Sequence, residues 1–206
     1  MIDVSVSVDG TNAVTTASFH TALPGELLLA FVASDGPTSA AQTVTVSGAG
    51  LTWTLAGRAN SQLGTAEIWR TTASSVVTGT VSSTQARTGY DQSLTVVAIQ
   101  GSSGVGASTA AGAGSGAPTV NLVTTKTGSL VFGVGNDWDN AIARTLGANQ
   151  VIQHQWVDTR VNDTFWVQTT SGPSGPTGSV VTLNDTAPTG DRWNFAAVEV
   201  TAAASP

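Results

Sequence analysis

The stretch from Gly128 to Asn140 reads Gly-Ser-Leu-Val-Phe-Gly-Val-Gly-Asn-Asp-Trp-Asp-Asn. Its first half is an unbroken apolar run, short enough for a strand that is covered on both faces. Its second half places two aspartates, two asparagines and a tryptophan within five residues. A similar apolar run lies at Gly25 to Asp35, Gly-Glu-Leu-Leu-Leu-Ala-Phe-Val-Ala-Ser-Asp, without such a cluster after it. We therefore predict the same buried strand twice, with polar residues added to the second copy.

The rest of the chain favours an all-β fold. Ile2 to Asp9 alternates apolar and polar residues, which is typical of a half-buried strand. Glycine, proline, asparagine or aspartate interrupts nearly every apolar segment, as turns between strands require. No segment predicts a convincing helix, and the best candidate, Asn140 to Leu146, would form at most a turn or two. The predicted fold class is an antiparallel β-sandwich of the jelly-roll kind.

The two halves of the chain contain similar residues in the same order. The matched pairs are Gly25 with Gly128, Leu27 with Leu130 and Trp53 with Trp156 at a spacing of 103, Trp69 with Trp166 at 97, and Val97 with Val198 at 101. This order predicts an internal duplication. We expect half repeats at 1–100 and 119–201, joined by a Gly/Ala/Ser-rich segment, 101–118, whose lack of periodicity indicates a flexible crossover.

Residues 1–206 are predicted to form one sandwich domain, because short all-β halves without disulfides bury little surface alone. Two Ig-like sandwiches of about 100 residues each are the alternative.

The composition excludes several classes of partner. The 206 residues include 40% hydrophobic but only 10% charged residues, with a net charge of −6 and one lysine, Lys126. Soluble domains usually contain roughly 25% charged residues. Binding to nucleic acid requires clustered positive charge, so we predict no nucleic-acid partner. No apolar run approaches the roughly 18 residues needed to cross a bilayer, so we predict no membrane insertion. Cysteine is absent, which excludes disulfides and thiolate metal sites.

The Thr/Ser/Gly/Ala-rich, lysine-poor composition favours a secreted or cell-surface location. The first residues, Met1 to Ser5, do not have the basic and apolar segments of a signal peptide. The chain is therefore expected to be either cytosolic or a mature or excised domain. The composition favours the second, as part of a larger multidomain protein.

Four segments resemble the core strands of a known kind of module. They are Gly-Glu-Leu-Leu-Leu-Ala-Phe-Val (25–32), Leu-Thr-Trp-Thr-Leu (51–55), Ala-Glu-Ile-Trp-Arg (66–70) and Trp-Asn-Phe-Ala-Ala-Val-Glu-Val (193–200). Together they look like an internally duplicated β-sandwich module of secreted bacterial and phage-associated proteins. Such modules are similar in architecture to jelly-roll carbohydrate-binding modules. The resemblance implies glycan binding by analogy of fold.

Six tryptophans are candidates for a ligand surface. Trp53, Trp156 and Trp193 share strand faces with apolar residues, so we predict that they are in the core. Trp69 and Trp166 alternate with Ile68 or Phe165 and share their own face with polar residues. This pattern favours an exposed indole platform for a sugar ring. The alternative is that these indoles lie beneath a loop or on a second inner face.

The loop Asn136 to Asn140 is the strongest candidate site. Trp138 could stack on a sugar while Asp137, Asp139 and Asn140 hydrogen-bond its hydroxyls. Asp137 and Asp139 could instead bind Ca²⁺, which takes 6 to 8 oxygen ligands, although their spacing does not match an EF-hand. No other cofactor is expected. A solvated turn that ends the strand is the simplest alternative.

We therefore predict a non-catalytic extracellular module that binds a polysaccharide or cell-surface glycan. The predicted ligand-binding residues are Trp138, Asp137, Asp139, Asn140, Trp69 and Trp166. A structural or adhesive spacer without a small ligand is the first alternative. A polysaccharide-cleaving enzyme is the second, although no pair of carboxylates of the kind that glycosidases use is evident in the sequence.

Overall fold

The structure, a computed structural model, describes residues 1–203, which form a chain of antiparallel strands. The strands are β1 (Ile2–Thr11), β2 (Val14–Thr15), β3 (Phe19–His20), β4 (Glu26–Ser34), β5 (Val44–Gly48), β6 (Thr54–Ala59), β7 (Thr65–Ala73), β8 (Thr78–Gly79), β9 (Val81–Gln85), β10 (Asp91–Ile99), β11 (Ser102–Ala113), β12 (Thr119–Val123), β13 (Leu130–Asp137), β14 (Thr145–Leu146), β15 (Gln150–Asp158), β16 (Asp163–Thr170), β17 (Val180–Ala187) and β18 (Trp193–Ala202). The predicted all-β class is confirmed. Within residues 1–203, no helix is long and apolar enough to cross a membrane.

Each half of the chain builds one five-stranded and one three-stranded sheet, and the first half adds the two-stranded sheet β3-β8. The large sheets have five strands, in the orders β1-β10-β4-β7-β6 and β11-β18-β13-β16-β15. Facing them are three-stranded sheets, β2-β9-β5 and β12-β17-β14. In both large sheets the first strand of the half pairs with the last, and the apolar run, β4 or β13, lies at the centre. All of these pairings are antiparallel, as a sandwich requires.

The two large sheets pack against each other through a shared core. Leu29 and Phe31 of β4 meet Phe132 and Val134 of β13 there, and the rings of Phe31 and Phe132 stack with centroids 5.8 Å apart. The alternate residues of β4, such as Leu28, point to the core of the first half instead. This two-sided covering explains why both apolar runs are continuous, because a strand with no solvent-facing side has no polar alternation.

The prediction that residues 101–118 form a flexible crossover is wrong. Ser102–Ala113 forms β11, which pairs with β18 at the edge of the second large sheet. Its small residues allow close packing. A Cβ at Gly106 would collide with the Glu199 carboxylate, and one at Gly112 would lie 2.6 Å from Ser61 Oγ. The expectation of no convincing helix is confirmed at the best candidate, 140–146, which contains no helical residue and ends in the short strand β14.

The register of the strands corrects the sequence matching of the tryptophans. Leu29 pairs with Val97 and Arg70, whereas Phe132 pairs with Val198 and Thr169. If the matched pair Val97 and Val198 is taken as equivalent, Leu29 corresponds to Phe132 and Arg70 to Thr169.

Counting back along β7 and β16 then makes Trp166 the equivalent of Glu67, and Gln168 the equivalent of Trp69. The two tryptophans therefore occupy the same face of equivalent strands, two residues apart. Trp53 belongs to the core of the first half, whereas Trp156 packs on the shared core, so these two are not equivalent. Common descent of the halves, and one domain over residues 1–206, stay predictions.

Candidate functional site

A cavity of about 210 Å³ lies where the two halves meet at one end of the large sheets. The end of β4, the start of β10, the end of β13 and the β15–β16 turn converge there. The lining residues are Asp35, Gly89, Tyr90, Asp91, Trp138, Arg160, Val161 and Asp163. Trp138, which the sequence singled out, therefore lies beside residues of the first half that are far from it in the chain.

Carboxyl groups from both halves form the floor of this cavity. Asp35, Asp91 and Asp163 are 4%, 2% and 4% exposed, and the neighbouring Asp158 is 4% exposed. Arg160 is the cation of the lining, and it forms an ion pair with Asp91. We call the contact of the β15–β16 turn with the first half, made by Asp35, Asp91, Asp158, Arg160 and Asp163, the carboxylate junction.

Asp35 and Asp163 form a proton-sharing pair. Burial, followed by the hydrogen bond and charge of Asp163 and the charges of Asp91 and Asp158, raises the pKa of Asp35 far above its usual range. Burial also raises the pKa of Asp163 to about 6. Because both partners are carboxyl groups, the hydrogen bond between them requires a proton on one. The Oδ1 atom of Asp35 is buried and faces no hydrogen-bond donor within residues 1–203.

Two aromatic side chains flank the carboxyl groups. Trp138 and Tyr90 are both half-buried and line the cavity. The loop that holds Trp138 is fixed through its backbone, since Trp138 N–H donates to the carbonyl oxygen of Arg192 at 3.3 Å and Arg192 N–H donates to Asp139 Oδ2 at 2.7 Å. The backbone of Trp138 is thus held in place, and the residue lines the cavity.

The polar residues beside Trp138 stabilise the loop. Asp137 is fully buried, accepts from Asp139 N–H at 2.8 Å and forms an ion pair with Arg144. Burial raises the pKa of Asp137 to about 6, although Arg144 opposes this. Asn140 donates to Asp191 Oδ1 at 2.6 Å. The side chains of Asp137, Asp139 and Asn140 therefore bond to different partners. No cluster of three or more metal-ligating side chains is found within residues 1–203.

Trp69 and Trp166 do not form the exposed indole platforms that the sequence predicted. Trp166 is 1% exposed, lies 4.8 Å beneath the Arg144 guanidinium and donates from Nε1 to Gln168 at 2.8 Å. Trp69 is half-buried, packs on the core of the first half and donates to Glu67 at 3.0 Å. Three of the polar neighbours that suggested exposure, Glu67, Thr164 and Gln168, are themselves buried. Neither indole lies with Trp138, so the structure does not bring these three together.

The remaining tryptophans follow the sequence more closely. Trp53 and Trp193 are 8% and 6% exposed and belong to the cores of the first and second half, which confirms their prediction. Trp156 is half-buried and packs against the shared core, with its ring 5.3 Å from that of Phe165.

Sequence reasoning missed the carboxyl groups that surround Trp138, although one clue was present. Asp35 and Trp138 are separated by 103 residues, the spacing that also matches the two apolar runs. They therefore follow equivalent strands, and in this structure the ends of those two strands line the same cavity. Nothing in the local sequence around Asp91 or Asp163 distinguishes these residues from turn aspartates.

The equivalent contact of the first half is made by amides. The β6–β7 turn reaches the second half, where Gln62 N–H donates to Asn194 Oδ1 at 3.0 Å and Asn194 Nδ2 donates to the Leu63 carbonyl oxygen at 2.9 Å. Asn136 Nδ2 donates to the same oxygen at 3.3 Å. We call this contact, made by Gln62, Leu63, Asn136 and Asn194, the amide junction. An open groove of about 480 Å³ lies beside it.

Comparison with known proteins gives no relative for this chain. No family model, no curated protein and no solved structure matches it.

Proposed function

We propose that this chain is a non-catalytic module that binds carbohydrate in the cavity at the carboxylate junction. The supporting observation is the position of Trp138, which faces a cavity whose floor is formed by Asp35, Asp91 and Asp163. The indole would stack on the apolar face of a sugar ring. The carboxyl groups would accept hydrogen bonds from hydroxyls, and Arg160 would donate to ring or hydroxyl oxygens.

The size of the cavity supports a small recognition unit. Its volume of about 210 Å³ is below the range of about 300–1,000 Å³ that drug-sized ligands occupy. A single sugar unit, at the end or within a longer chain, suits this volume. Trp69 and Trp166 lie elsewhere in the molecule and are not part of this binding unit.

The geometry of the acids favours binding over cleavage. Retaining glycosidases hold two carboxyl groups about 5–5.5 Å apart, and inverting enzymes hold them further apart. Asp35 and Asp163 are in direct hydrogen-bond contact instead. Such a pair leaves no room for a glycosidic bond between its members.

The order of the strands supports the wider setting of this proposal. In each half the first strand pairs with the last and a small sheet covers the large one, as in jelly-roll-like sandwiches. We infer on this basis a jelly-roll-like, internally repeated module that serves an extracellular multidomain protein by holding a polysaccharide or a cell-surface glycan.

Affinity electrophoresis in gels that contain soluble polysaccharides tests the proposed function. We expect retardation of the wild-type chain by at least one polysaccharide and loss of that retardation in Trp138→Ala. Trp69→Phe is the matched control, because it alters a half-buried indole far from the cavity and should leave retardation unchanged. Thermal unfolding of each variant verifies that the fold survives. Retardation that depends on Trp69 and not on Trp138 would place the site elsewhere, and no retardation by any glycan would favour the spacer alternative.

A further inference from the structure

The cavity at the carboxylate junction has more negative than positive groups. Asp35, Asp91 and Asp163 line it, and Arg160 is its one lining cation. Arg160 already pairs with Asp91, and its side chain is 61% exposed, so it compensates little of the negative charge of Asp35 and Asp163. Asp158 and Asp137 add negative charge from nearby, and both act on the Asp163 carboxyl group. A bound cation would relieve this imbalance.

A buried acceptor without a donor belongs to the lining of the same cavity. Asp35 lines it, and Asp35 Oδ1 is buried and has no hydrogen-bond donor within the described part of the chain. Leaving such atoms unpaired costs free energy that a ligand with several N–H donors can recover. An ammonium group offers three donors and a positive charge, whereas a hydroxyl offers one donor and no charge.

The aromatic residues fit a cation as well as a sugar. A cation near the face of an indole or phenol ring is attracted by the negative charge of that face. Trp138 and Tyr90 border the acidic floor, so one ligand can contact a ring and a carboxylate together. A metal ion fits less well, because the acids do not form a group of three or more metal ligands within residues 1–203.

We propose that the preferred ligand is an amino sugar with a free, protonated amine, whose ammonium group is bound by Asp35 and Asp163 while its ring stacks on Trp138. This inference rests on the proposed function and specifies its substrate class. The glycan would be a polymer or oligomer rich in de-N-acetylated hexosamine. N-acetylation removes the charge and adds bulk in a small cavity, so the acetylated form should bind more weakly.

Binding of an ammonium group should release a proton. In the free protein, Asp35 and Asp163 share one proton between them. A cation placed beside the pair favours its ionised form, so the proton passes to the buffer while the amine keeps its own. Asp91 and Asp158 act on both carboxyl groups and Asp137 acts on Asp163, while Arg160 and Tyr90 line the same cavity. Neutral sugars have no charge to drive the same release.

Isothermal titration calorimetry with three tetrasaccharides tests the inference. The probes are a glucosamine tetramer, an N-acetylglucosamine tetramer and a glucose tetramer, each measured at pH 6 in two buffers of different ionisation enthalpy. We expect the glucosamine tetramer to bind about tenfold more tightly than the other two, because charge-assisted hydrogen bonds are stronger than neutral ones. Its apparent enthalpy should depend on the buffer in the direction of proton release. These measurements use the wild-type chain and need no variant.

Variants then locate the effect. Asp35→Asn should abolish the dependence on the buffer and reduce the preference for the glucosamine tetramer. Asp3→Asn is the control, since Asp3 lies on β1 and bonds to Ala22 and Gln100 away from the cavity. It should behave as the wild type.

The outcomes separate the inference from the function on which it rests. If the N-acetylglucosamine or glucose tetramer bound as tightly as the glucosamine tetramer, and binding still depended on Trp138, recognition of the amine would be overturned and carbohydrate binding retained. If free lysine bound as tightly as the glucosamine tetramer, recognition of the sugar would be overturned. No binding by any tetramer, together with no retardation in polysaccharide gels, would overturn both proposals.

Discussion

The amide junction and the carboxylate junction are two versions of one contact. In each, a turn between the two outer strands of a large sheet crosses to the other half. The β6–β7 turn is held by neutral side chains, Asn136 and Asn194, which donate and accept hydrogen bonds at the same time. The β15–β16 turn meets Asp35 and Asp91, which can only accept unless they are protonated, and Arg160 reaches back across the contact.

This difference shows how one scaffold can serve two purposes. Amides satisfy each other at any pH, so the amide junction needs no ligand and no proton. The carboxylate junction has too few donors and too much negative charge, so it depends on a proton or on a cation from outside. We infer that the amide junction joins the halves and that the carboxylate junction provides the site.

The largest effect is expected in the shared core, which packs the two large sheets against each other. Phe132→Ala removes a fully buried ring that stacks on Phe31 in the shared core. Truncation of a buried phenylalanine costs about 3–5 kcal/mol of unfolding free energy, because it removes apolar contact and leaves a cavity. Urea unfolding followed by fluorescence measures the loss. An effect below about 1 kcal/mol would mean that the sheets do not depend on each other.

A smaller loss is expected at the amide junction. Asn194→Ala removes the three hydrogen bonds of a fully buried side chain, to Gln62, Leu63 and Asn136, and leaves the Gln62 N–H without its acceptor. We expect a decrease of about 2 kcal/mol in the unfolding free energy. The decrease should be the same at acid and neutral pH, since no charge changes. A loss that grows strongly with pH would contradict the neutral character of this junction.

The carboxylate junction should make stability dependent on pH. Asp163 ionises at about pH 6 in the folded chain, above the ordinary value of an aspartate, and the pKa of Asp35 is raised further. From the unfolded pKa of about 4 upward, the folded state therefore holds more protons, and the unfolding free energy falls as pH rises through the folded pKa values. Asp35→Asn keeps a neutral group at every pH. Urea unfolding at several pH values should show this variant more stable than the wild type at pH 8, with a difference that shrinks as the pH falls toward 4.

The reciprocal change is the control for that prediction. Asn194→Asp introduces a buried carboxyl group into the amide junction and should add a decrease of stability with rising pH that Asn194→Ala does not show. If Asp35→Asn and the wild type had parallel pH profiles, the proton-sharing pair would play no part in stability.

The smallest effects on stability are expected from single side chains in the two turns, β15–β16 and β6–β7. Arg160→Ala removes the cation that pairs with buried Asp91, but the guanidinium is 61% exposed, so we expect a loss of about 1 kcal/mol. Gln62→Ala should cost less than about 0.5 kcal/mol, because Gln62 contributes its backbone N–H to the amide junction. Thermal shift measurements on both variants suffice. A larger loss for Gln62→Ala would reverse the roles given to the two turns.

The sequence was sufficient for the fold class because strand patterns are local. Continuous apolar runs at β4 and β13 predicted strands covered on both faces, and this is confirmed. Composition was misleading at 101–118, where small residues that usually indicate flexibility instead allow β11 to pack closely against Glu199 and Ser61. Polar neighbours were misleading at Trp166, because Thr164 and Gln168 are buried with it.

The candidate site could be predicted only in part, for a physical reason. Trp138 belongs to an unusual local cluster, so the sequence indicated it. Asp35, Asp91 and Asp163 are ordinary turn residues until the two large sheets face each other and bring them together. Such a site depends on contacts between residues about a hundred positions apart. The raised pKa values depend on burial, which the sequence does not show at these positions.

Carboxyl ¹³C chemical shifts of the ligand-free protein, followed by NMR as the pH is raised, test the central claim most directly. The contrast between the junctions predicts that Asp35 keeps its proton at neutral pH and that Asp163 titrates above the ordinary range of an aspartate. If both side chains are fully ionised by about pH 5, as unperturbed aspartates are, no shared proton exists and the carboxylate junction is not the site proposed for it.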